Sequence, residues 1–340
     1  MLPQDVLDII SVFSGRYNVI QTLSPRIFHK FYTKHISLVY GQVQSGKTSM
    51  IIKLIQQSQM QCVLIIQNSL LVLQQYIQRF KDNGVSFQTV RDTHFHAKVI
   101  IVMNNPSQFQ KFLAFKRPKF ALFMDEADLT QHNPLVSLST NHFHITATPF
   151  KYPQMFNHII RIDAPNNYYG IERVQLLPKT YIDKDTDFLP IIQDFTTNSG
   201  GILLINQFSA ISDMNAAALH LSNKCDLRIV VLSTVKKLYF KGRSTTIRLD
   251  NIQSIVDSLP YKHIIIIANR MANRGLSFTS TDFKRHITHQ VFGDFNNITS
   301  FLQKSRIFGV YNDTPTLKLF LPPNRIKLAL SYIHKVQTFS

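Results

Sequence analysis

Short apolar runs alternate with stretches of helical periodicity through the first half of the chain. Residues 3–15 form an amphipathic pattern that predicts a short helix, with Val6, Leu7 and Ile10 on its apolar side. Five apolar runs of strand length follow it: HISLVY at 35–40, CVLIIQ at 62–67, KVIIVM at 98–103, ALFMDE at 121–126 and HFHITA at 142–147. Strands separated by helices of about a dozen residues predict a parallel sheet with right-handed crossovers.

A similar block of apolar runs fills the second half. Its predicted strands are GGILLINQ at 200–207, LRIVVLS at 227–233, KHIIIIAN at 262–269, a stretch near Val291 and LKLFLP at 317–322, and its predicted helices cover 209–221 and 325–335. A less regular stretch separates the two blocks. The 340 residues suit two domains of about 150 residues each. We therefore expect an α/β protein with domains over 1–165 and 191–340, joined by a linker over 166–190.

A glycine-rich loop follows the first predicted strand. GQVQSGKT at 41–48 has a glycine, four free residues and then Gly-Lys-Thr. Such a loop directs backbone N–H groups and a helix N-terminus at phosphate. Lys47 is then expected to reach the β- and γ-phosphates, and the Thr48 hydroxyl to ligate Mg²⁺. The other predicted nucleotide-binding residues are Gly41, Gln44, Ser45, Gly46 and Ser49. The alternative is a strand–turn–helix that merely matches the pattern.

Two carboxylates end the run KFALFMDEAD at 119–128. Asp125 stands where a metal-holding acid follows a buried strand, and Glu126 is placed to orient and deprotonate an attacking water. A solvated strand end is the alternative interpretation, and Asp128 is expected only to pair with a neighbouring base.

A threonine-rich turn follows the fifth run, in the order TATP at 146–149. The hydroxyls of Thr146 and Thr148 can bond Asp125 or Glu126. We expect this turn to sense the nucleotide and couple it to the second domain.

The second half lacks another phosphate loop but carries two arginine-bearing stretches. These are ANRMANRGLSF at 268–278, with Arg274, and LQKSRIFGVY at 302–311, with Gln303 and Arg306. An arginine supplied from a second domain stabilises charge on a transferring phosphate. Each arginine taken alone is equally well explained as a surface cation.

The charge of the chain favours a polyanionic partner. Lys and Arg total 37 against 20 Asp and Glu, which gives a net charge of +17 and a pI near 9.9. Nucleic acid is the simplest such partner. The alternative is that the basic excess serves only solubility.

Compartment signals favour a soluble, intracellular protein. Cys62 and Cys225 are far apart in apolar or strand-like surroundings, so a disulfide framework is not expected. No apolar run approaches the roughly 20 residues that cross a bilayer. The start, MLPQDVLDII, does not follow a signal-peptide pattern. Many Ile, Phe, Asn and Lys residues and the absence of Trp hint at an AT-rich genome, such as that of a large virus.

Together these stretches resemble the superfamily 2 helicases and translocases over nearly the whole chain. The resemblance lies in motif I at 41–48, motif II at 124–128, motif III at 146–149, motif V at 273–277 and motif VI at 303–309. Within that superfamily, VQSGKT, TATPF, NRGLS and QKSRIFG are similar to the ATPases with a Z-one domain, found in bacteria and large DNA viruses. The resemblance implies two tandem RecA-like domains with parallel sheets, with ATP and Mg²⁺ in the interdomain cleft and Gln303 among the nucleotide-binding residues.

Motif VI departs from the Gly-Arg-x-x-Arg of many relatives. Ser305 precedes Arg306, and Gly309 stands three residues later. Arg306 is therefore the single arginine-finger candidate in this motif, with Arg274 of motif V as the other candidate catalytic arginine.

The resemblance also implies where a nucleic-acid strand crosses the domains. The first-domain positions follow two strands, at Asn68 and at Asn104 and Asn105, and Asn206 stands at the equivalent place in the second domain. KKLYFKGR at 236–243 interleaves cations with aromatic residues, as a stacking and phosphate site does. Its cations are Lys236, Lys237, Lys241 and Arg243. Ordinary loop chemistry and a solvated hairpin are the alternatives.

The function expected from the sequence is an ATP-dependent nucleic-acid helicase or translocase, acting on DNA more readily than on RNA. Two alternatives stay open: an RNA helicase, and a non-hydrolysing nucleic-acid-binding protein on a helicase scaffold. Intact Lys47, Thr48, Asp125 and Glu126 argue against the second.

Overall fold

The structure is a computed structural model of the chain. It describes residues 17–22, 35–44, 46–92, 94–115, 119–127, 133–147, 158–162, 164–179, 187–249, 251–269, 276–282, 284–313 and 315–338. The predicted helix over 3–15 lies outside the described residues, as do Ser45, Asp128, Thr148 and Arg274. The chain divides into two compact units, Met1–Asn166 and Asn167–Ser340, called here the first and the second unit.

The first unit contains a mainly parallel sheet. Its described strands are β1 (Tyr17–Thr22), β2 (His35–Gly41), β3 (Gln61–Ile66), β4 (Phe87–Thr89), β5 (Val99–Met103), β6 (Phe120–Asp125), β7 (Asn141–Thr146) and β8 (His158–Ile162). They lie in the order β1-β8-β2-β7-β6-β3-β5-β4. Only β1 runs antiparallel to its neighbour among these described strands. Helices α1 (Lys47–Gln57), α2 (Leu70–Asp82) and α3 (Pro106–Leu113) connect them.

Burial on both faces explains why the central strands of this sheet are continuous apolar runs. Every residue of β5 and β6 is buried, and so are the last five residues of β3. Parallel strands covered by helices read as Val-, Ile- and Leu-rich runs rather than as alternating ones. The short β4 and the edge strand β1, which the sequence analysis did not identify, lie at or near the edges of the sheet.

The second unit contains another sheet of the same kind. Its described strands are β9 (Tyr168–Tyr169), β10 (Val174–Pro178), β11 (Gly201–Asn206), β12 (Arg228–Leu232), β13 (Lys237–Phe240), β14 (Arg243–Thr246), β15 (His263–Ala268), β16 (Ile287–Phe292), β17 (Gly309–Val310) and β18 (Leu317–Leu321). The main sheet has the order β10-β18-β16-β11-β15-β12-β13-β14, while β17 pairs with β9. The first six strands of this order, from β10 across to β12, run parallel to their neighbours, and β13 and β14 add an antiparallel hairpin at the end.

Five described helices complete the second unit. They are α4 (Leu189–Thr197), α5 (Ile211–Lys224), α6 (Ile252–Ser258), α7 (Ile298–Lys304) and α8 (Ile326–Thr338). One core cluster joins α4 and α5 to the sheet through Phe195, Met214, Leu203 and Ile265, each of them fully buried. None of the described helices combines the length and the apolar character that a membrane crossing requires.

The predicted α/β class, with a parallel sheet in each half, is confirmed. The stretch predicted as a linker differs from the expectation, because β9 and β10 lie within it. β10 pairs in parallel with β18, with Val174 beside Leu317. Its partner lies about 140 residues further along the chain, so local periodicity could not identify this strand.

Candidate nucleotide-binding site

Three neighbouring strands of the first unit end side by side and carry the predicted nucleotide-binding residues. β7 lies between β2 and β6, with Tyr40 paired to Thr146 and Asp125 paired to Ile145. Because the strands are parallel, their carboxyl ends lie at one edge of the sheet, where open α/β sheets bind ligands. The fold thus brings the glycine-rich loop, Thr146 and the acidic pair to the same edge.

The loop after β2 requires glycine at position 46, just before α1 begins. Gly46, the N-cap of α1, has a φ of 99°, and Gln44 has a φ of 58°. A Cβ at position 46 would meet no described atom within 4 Å, but the backbone there would be strained by any side chain. The loop therefore leads into the N-terminus of α1 with open space in front of Gly46. Of the other predicted loop residues, Gly41 is buried and Ser49 is exposed.

The ammonium group of Lys47 lies against the loop. Its Nζ donates to the carbonyl oxygen of Gly41 at 3.0 Å and to that of Gln42 at 2.6 Å. A phosphate carries a full negative charge, so its Coulomb attraction to the ammonium group is stronger than that of a neutral carbonyl. An anionic phosphate would therefore be a better partner for this ammonium group than the two carbonyls. The Lys47 ammonium group therefore lies where the sequence pattern of the loop predicts that a phosphate binds.

Asp125 is a buried carboxylate with hydrogen bonds to both of its oxygens. Oδ2 accepts from the hydroxyl of Tyr76 at 2.7 Å, and Oδ1 accepts from the backbone N–H of Glu126 at 3.1 Å. Burial raises the pKa of Asp125, and the Tyr76 hydrogen bond and the charge of Lys47 oppose that rise. The carboxylate is therefore fixed in position by its neighbours.

Glu126 has an unusual backbone. Its φ is 53°, in the left-handed region that non-glycine residues rarely occupy. Such a conformation costs about 1–3 kcal/mol and persists where the surrounding structure imposes it, often at functional sites. Glu126 is half-buried and directly follows the last residue of β6.

Tyr76 is a site residue that the sequence analysis missed. It lies on α2 and is 3% exposed. Its hydroxyl donates to Asp125, and the side chain of Thr48 lies near it. Burial and the neighbouring carboxylate raise the pKa of Tyr76 well above its usual value. Val72, Tyr76 and Phe80 recur every four residues on the buried face of α2, so the pattern marks a core residue but not the partner of its hydroxyl.

The donors at this edge fit a magnesium ion. Thr48 supplies a hydroxyl and Asp125 a carboxylate, the oxygen ligands that Mg²⁺ takes in phosphate-binding sites. The Tyr76 hydroxyl donates to Asp125 and has the Thr48 side chain as a neighbour, so the two side chains lie close together. Thr146 is buried at the end of β7.

In the second unit, Gln303 and Arg306 of motif VI are buried, at 1% and 4% exposure. Nη1 of Arg306 lies 3.5 Å from the carbonyl oxygen of Leu276, the first described residue after Arg274. Gln290 of β16 fixes the backbone here: Nε2 donates to the Lys304 carbonyl at 2.6 Å, and Oε1 accepts from the Ile307 N–H at 2.9 Å.

The asparagines predicted to contact nucleic acid have different surroundings. Asn68 is exposed, and its Oδ1 accepts from Nδ2 of Asn105 at 3.0 Å. Asn105 also caps α3 by accepting from the Gln108 N–H, and Asn104 is half-buried. Asn206 is 4% exposed, and its Oδ1 accepts from Gln290 at 3.2 Å. Its side chain is therefore part of the network under motif VI, because the strand end that carries it is covered by that motif.

The basic segment 236–243 forms the hairpin of β13 and β14. Lys241 and Arg243 are exposed, whereas Lys236 and Lys237 are half-buried. The expectation of stacking needs correction, because the aromatic rings are used inside the unit. Tyr239 is buried with its hydroxyl bonded to Asn215, and Phe240 lies under the guanidinium of Arg228.

Each unit has a RecA-like α/β fold, and the chain is similar in fold to known helicases. The chain is similar to Escherichia coli DEAH/RHA helicase HrpB, with a TM-score of 0.58 and 13% identity over 87% of this chain and 41% of that one. It is also similar to RecG bound to a three-way DNA junction, with a TM-score of 0.57 and 12% identity over 97% of this chain and 46% of that one. The likeness is one of fold, and the chain spans less than half the length of either structure. No family model and no curated protein matches the chain.

Proposed function

We propose that this chain is an ATP-dependent helicase or translocase of superfamily 2 that acts on nucleic acid. The observation that carries the proposal is the single sheet edge that gathers Lys47, Thr48, Asp125, Glu126 and Thr146. The order of these groups along the chain and the helicase-like fold support it. The wording of the motifs favours a place near the Z-one-domain ATPases.

Each residue at that edge has a role in hydrolysis. Lys47 binds the β- and γ-phosphates, and Gly41, Gln44, Ser45, Gly46 and Ser49 shape the loop around them. Thr48 and Asp125 hold Mg²⁺, whose chemistry here is to neutralise charge on the phosphates. Glu126 orients the attacking water and accepts its proton. Thr146, together with Thr148, couples the state of the site to the rest of the chain.

The second unit supplies the other proposed catalytic groups. Arg306 stabilises the charge that develops on the γ-phosphoryl group, with Arg274 as the alternative, and Gln303 contributes to nucleotide recognition. Because Arg306 is 4% exposed, its guanidinium has to leave the carbonyl of Leu276 to take that role.

The proposed polymer is DNA, held mainly through its phosphates. A net charge of +17 supports a polyanionic partner. The exposed side chains that suit phosphate contacts are Asn68 in the first unit and Lys241 and Arg243 on the hairpin of the second. Asn104, Asn105, Lys236 and Lys237 complete the proposed contact set.

The test is the ATPase rate of the purified chain with single-stranded DNA, double-stranded DNA, branched DNA and RNA as separate stimulants. We expect DNA to stimulate the rate more than RNA, and Lys47→Ala to remove the stimulated activity. Stimulation by RNA alone would assign the chain to the RNA helicases. Nucleic-acid binding without ATPase activity under any stimulant would favour a binding protein on a helicase scaffold.

A further inference from the structure

The hydroxyl of Tyr76 lies beside the two side chains that are proposed to hold Mg²⁺. It donates to Oδ2 of Asp125 at 2.7 Å, and the Thr48 side chain is a near neighbour. The ring is buried against Phe80, with 5.9 Å between the ring centroids. The hydroxyl is therefore held in place by the packing of α2.

Tyr76 uses its single hydrogen as the donor to Oδ2 of Asp125, and the other oxygen of that carboxyl group accepts from the Glu126 N–H. Each carboxylate oxygen has more than one lone pair, so both can still bind a cation while the protein fixes their orientation.

We propose that Tyr76 is a positioning residue for the magnesium site: it fixes the Asp125 carboxylate so that the remaining lone pairs of its oxygens meet the cation. This inference rests on the proposed function, since it assumes that Thr48 and Asp125 hold Mg²⁺. Groups that bond to metal ligands set the orientation of those ligands, and losing one commonly weakens metal affinity about 10- to 100-fold.

The alternative role for Tyr76 is a purely structural one, as a core residue whose hydroxyl needs a partner. The two roles differ in what they predict for nucleotide binding. A structural role alters the whole loop and affects nucleotide affinity with or without Mg²⁺. A positioning role affects only the part of the affinity that depends on Mg²⁺.

The experiment compares Tyr76→Phe with the wild-type chain by titrating a fluorescent ATP analogue in EDTA and at rising Mg²⁺ concentration. We expect an unchanged Kd in EDTA and a Mg²⁺ midpoint that is about 10- to 100-fold higher. Tyr239→Phe is the matched control, because it removes a hydroxyl bonded to Asn215 in the second unit. Its Mg²⁺ midpoint should equal that of the wild type.

Two further outcomes would overturn the inference. One is a Mg²⁺ midpoint unchanged by Tyr76→Phe in a chain that still binds the analogue. The other is loss of folding, seen by circular dichroism, in Tyr76→Phe but not in Tyr239→Phe, which would assign the hydroxyl to stability. Absence of nucleotide binding by the wild-type chain would instead contradict the proposed function itself.

Discussion

Gln290 accepts a hydrogen bond of 2.9 Å from the backbone N–H of Ile307 and thereby fixes the position of motif VI. The same side chain donates to the carbonyl of Lys304 at 2.6 Å, so it holds the backbone on both sides of Arg306. Gln290 itself is fully buried in β16. A strand residue outside the helicase motifs thus determines where the motif VI backbone lies.

Gln290→Ala should destabilise the second unit. The change removes the side-chain acceptor of the Ile307 N–H, whereas the Lys304 carbonyl keeps its hydrogen bond from the Arg306 N–H. A buried donor that loses its partner costs about 1–3 kcal/mol. We therefore expect the free energy of unfolding to fall by about 1–3 kcal/mol, measured by urea unfolding followed by circular dichroism. Gln193→Ala, on the exposed face of α4, is the control. Its free energy of unfolding should stay within about 0.5 kcal/mol of the wild-type value. Equal midpoints for the two variants would remove Gln290 from this role.

Lys47→Ala should abolish hydrolysis and weaken nucleotide binding, because it removes the cation beside the β- and γ-phosphates. The measurements are the stimulated ATPase rate and the affinity for a fluorescent ATP analogue. Lys53→Ala is the control, since Lys53 is exposed on the same helix. Activity that survives in Lys47→Ala would show that the loop does not bind phosphate.

Glu126→Gln should keep ATP bound while stopping turnover. The amide retains the shape of the side chain but cannot accept the proton of the attacking water. Single-turnover hydrolysis and nucleotide affinity, measured on the same preparation, separate the two effects. Equal hydrolysis by the variant and the wild type would mean that Glu126 is not the base.

Arg306→Ala should lower turnover far more than ATP affinity, since the contribution of an arginine finger belongs to the transition state. The expected loss is about a thousandfold or more. Because Arg306 is buried, the melting temperature of the variant has to be measured alongside. If Arg274→Ala loses activity while a folded Arg306→Ala retains it, the finger belongs to motif V. If neither variant loses activity, the proposed site itself is wrong.

Affinity for single-stranded DNA should fall steeply with salt, because cationic contacts release condensed counterions. Fluorescence anisotropy at several salt concentrations gives the slope of log affinity against log salt. Lys241→Ala and Arg243→Ala should each reduce its magnitude by about 0.7. Lys284→Ala, at an exposed lysine of the same unit that lies outside the hairpin, should leave the slope unchanged. A wild-type affinity for DNA that does not change with salt concentration would point to a protein partner instead.

The sequence predicts those parts of the fold and of the site that depend on residues adjacent in the chain. The loop at 41–48 and the acidic pair at 125–126 each follow a buried strand directly, and the register places both at one edge. Parallel central strands were also predictable, because burial on two faces makes them uninterrupted apolar runs.

The remaining features depend on partners far along the chain. Tyr76 meets Asp125 across 49 residues, and Gln290 meets Asn206 across 84. A tyrosine or a glutamine in an apolar pattern gives no local sign of such a partner. The same holds for Tyr239 and Phe240, whose aromatic character suggested stacking on bases although their rings serve the fold.

Helix α2 gives the first unit a short, rigid connection between two of its proposed functions. It begins beside Asn68 and carries Tyr76 two turns later, a distance of about 12 Å along the helix axis. A hydrogen bond weakens within a few tenths of an ångström, so a small rotation of α2 suffices to change the contact between Tyr76 and Asp125. If a nucleic-acid strand binds at Asn68 as proposed, its effect on the proposed magnesium ligands would pass through α2, within the first unit alone.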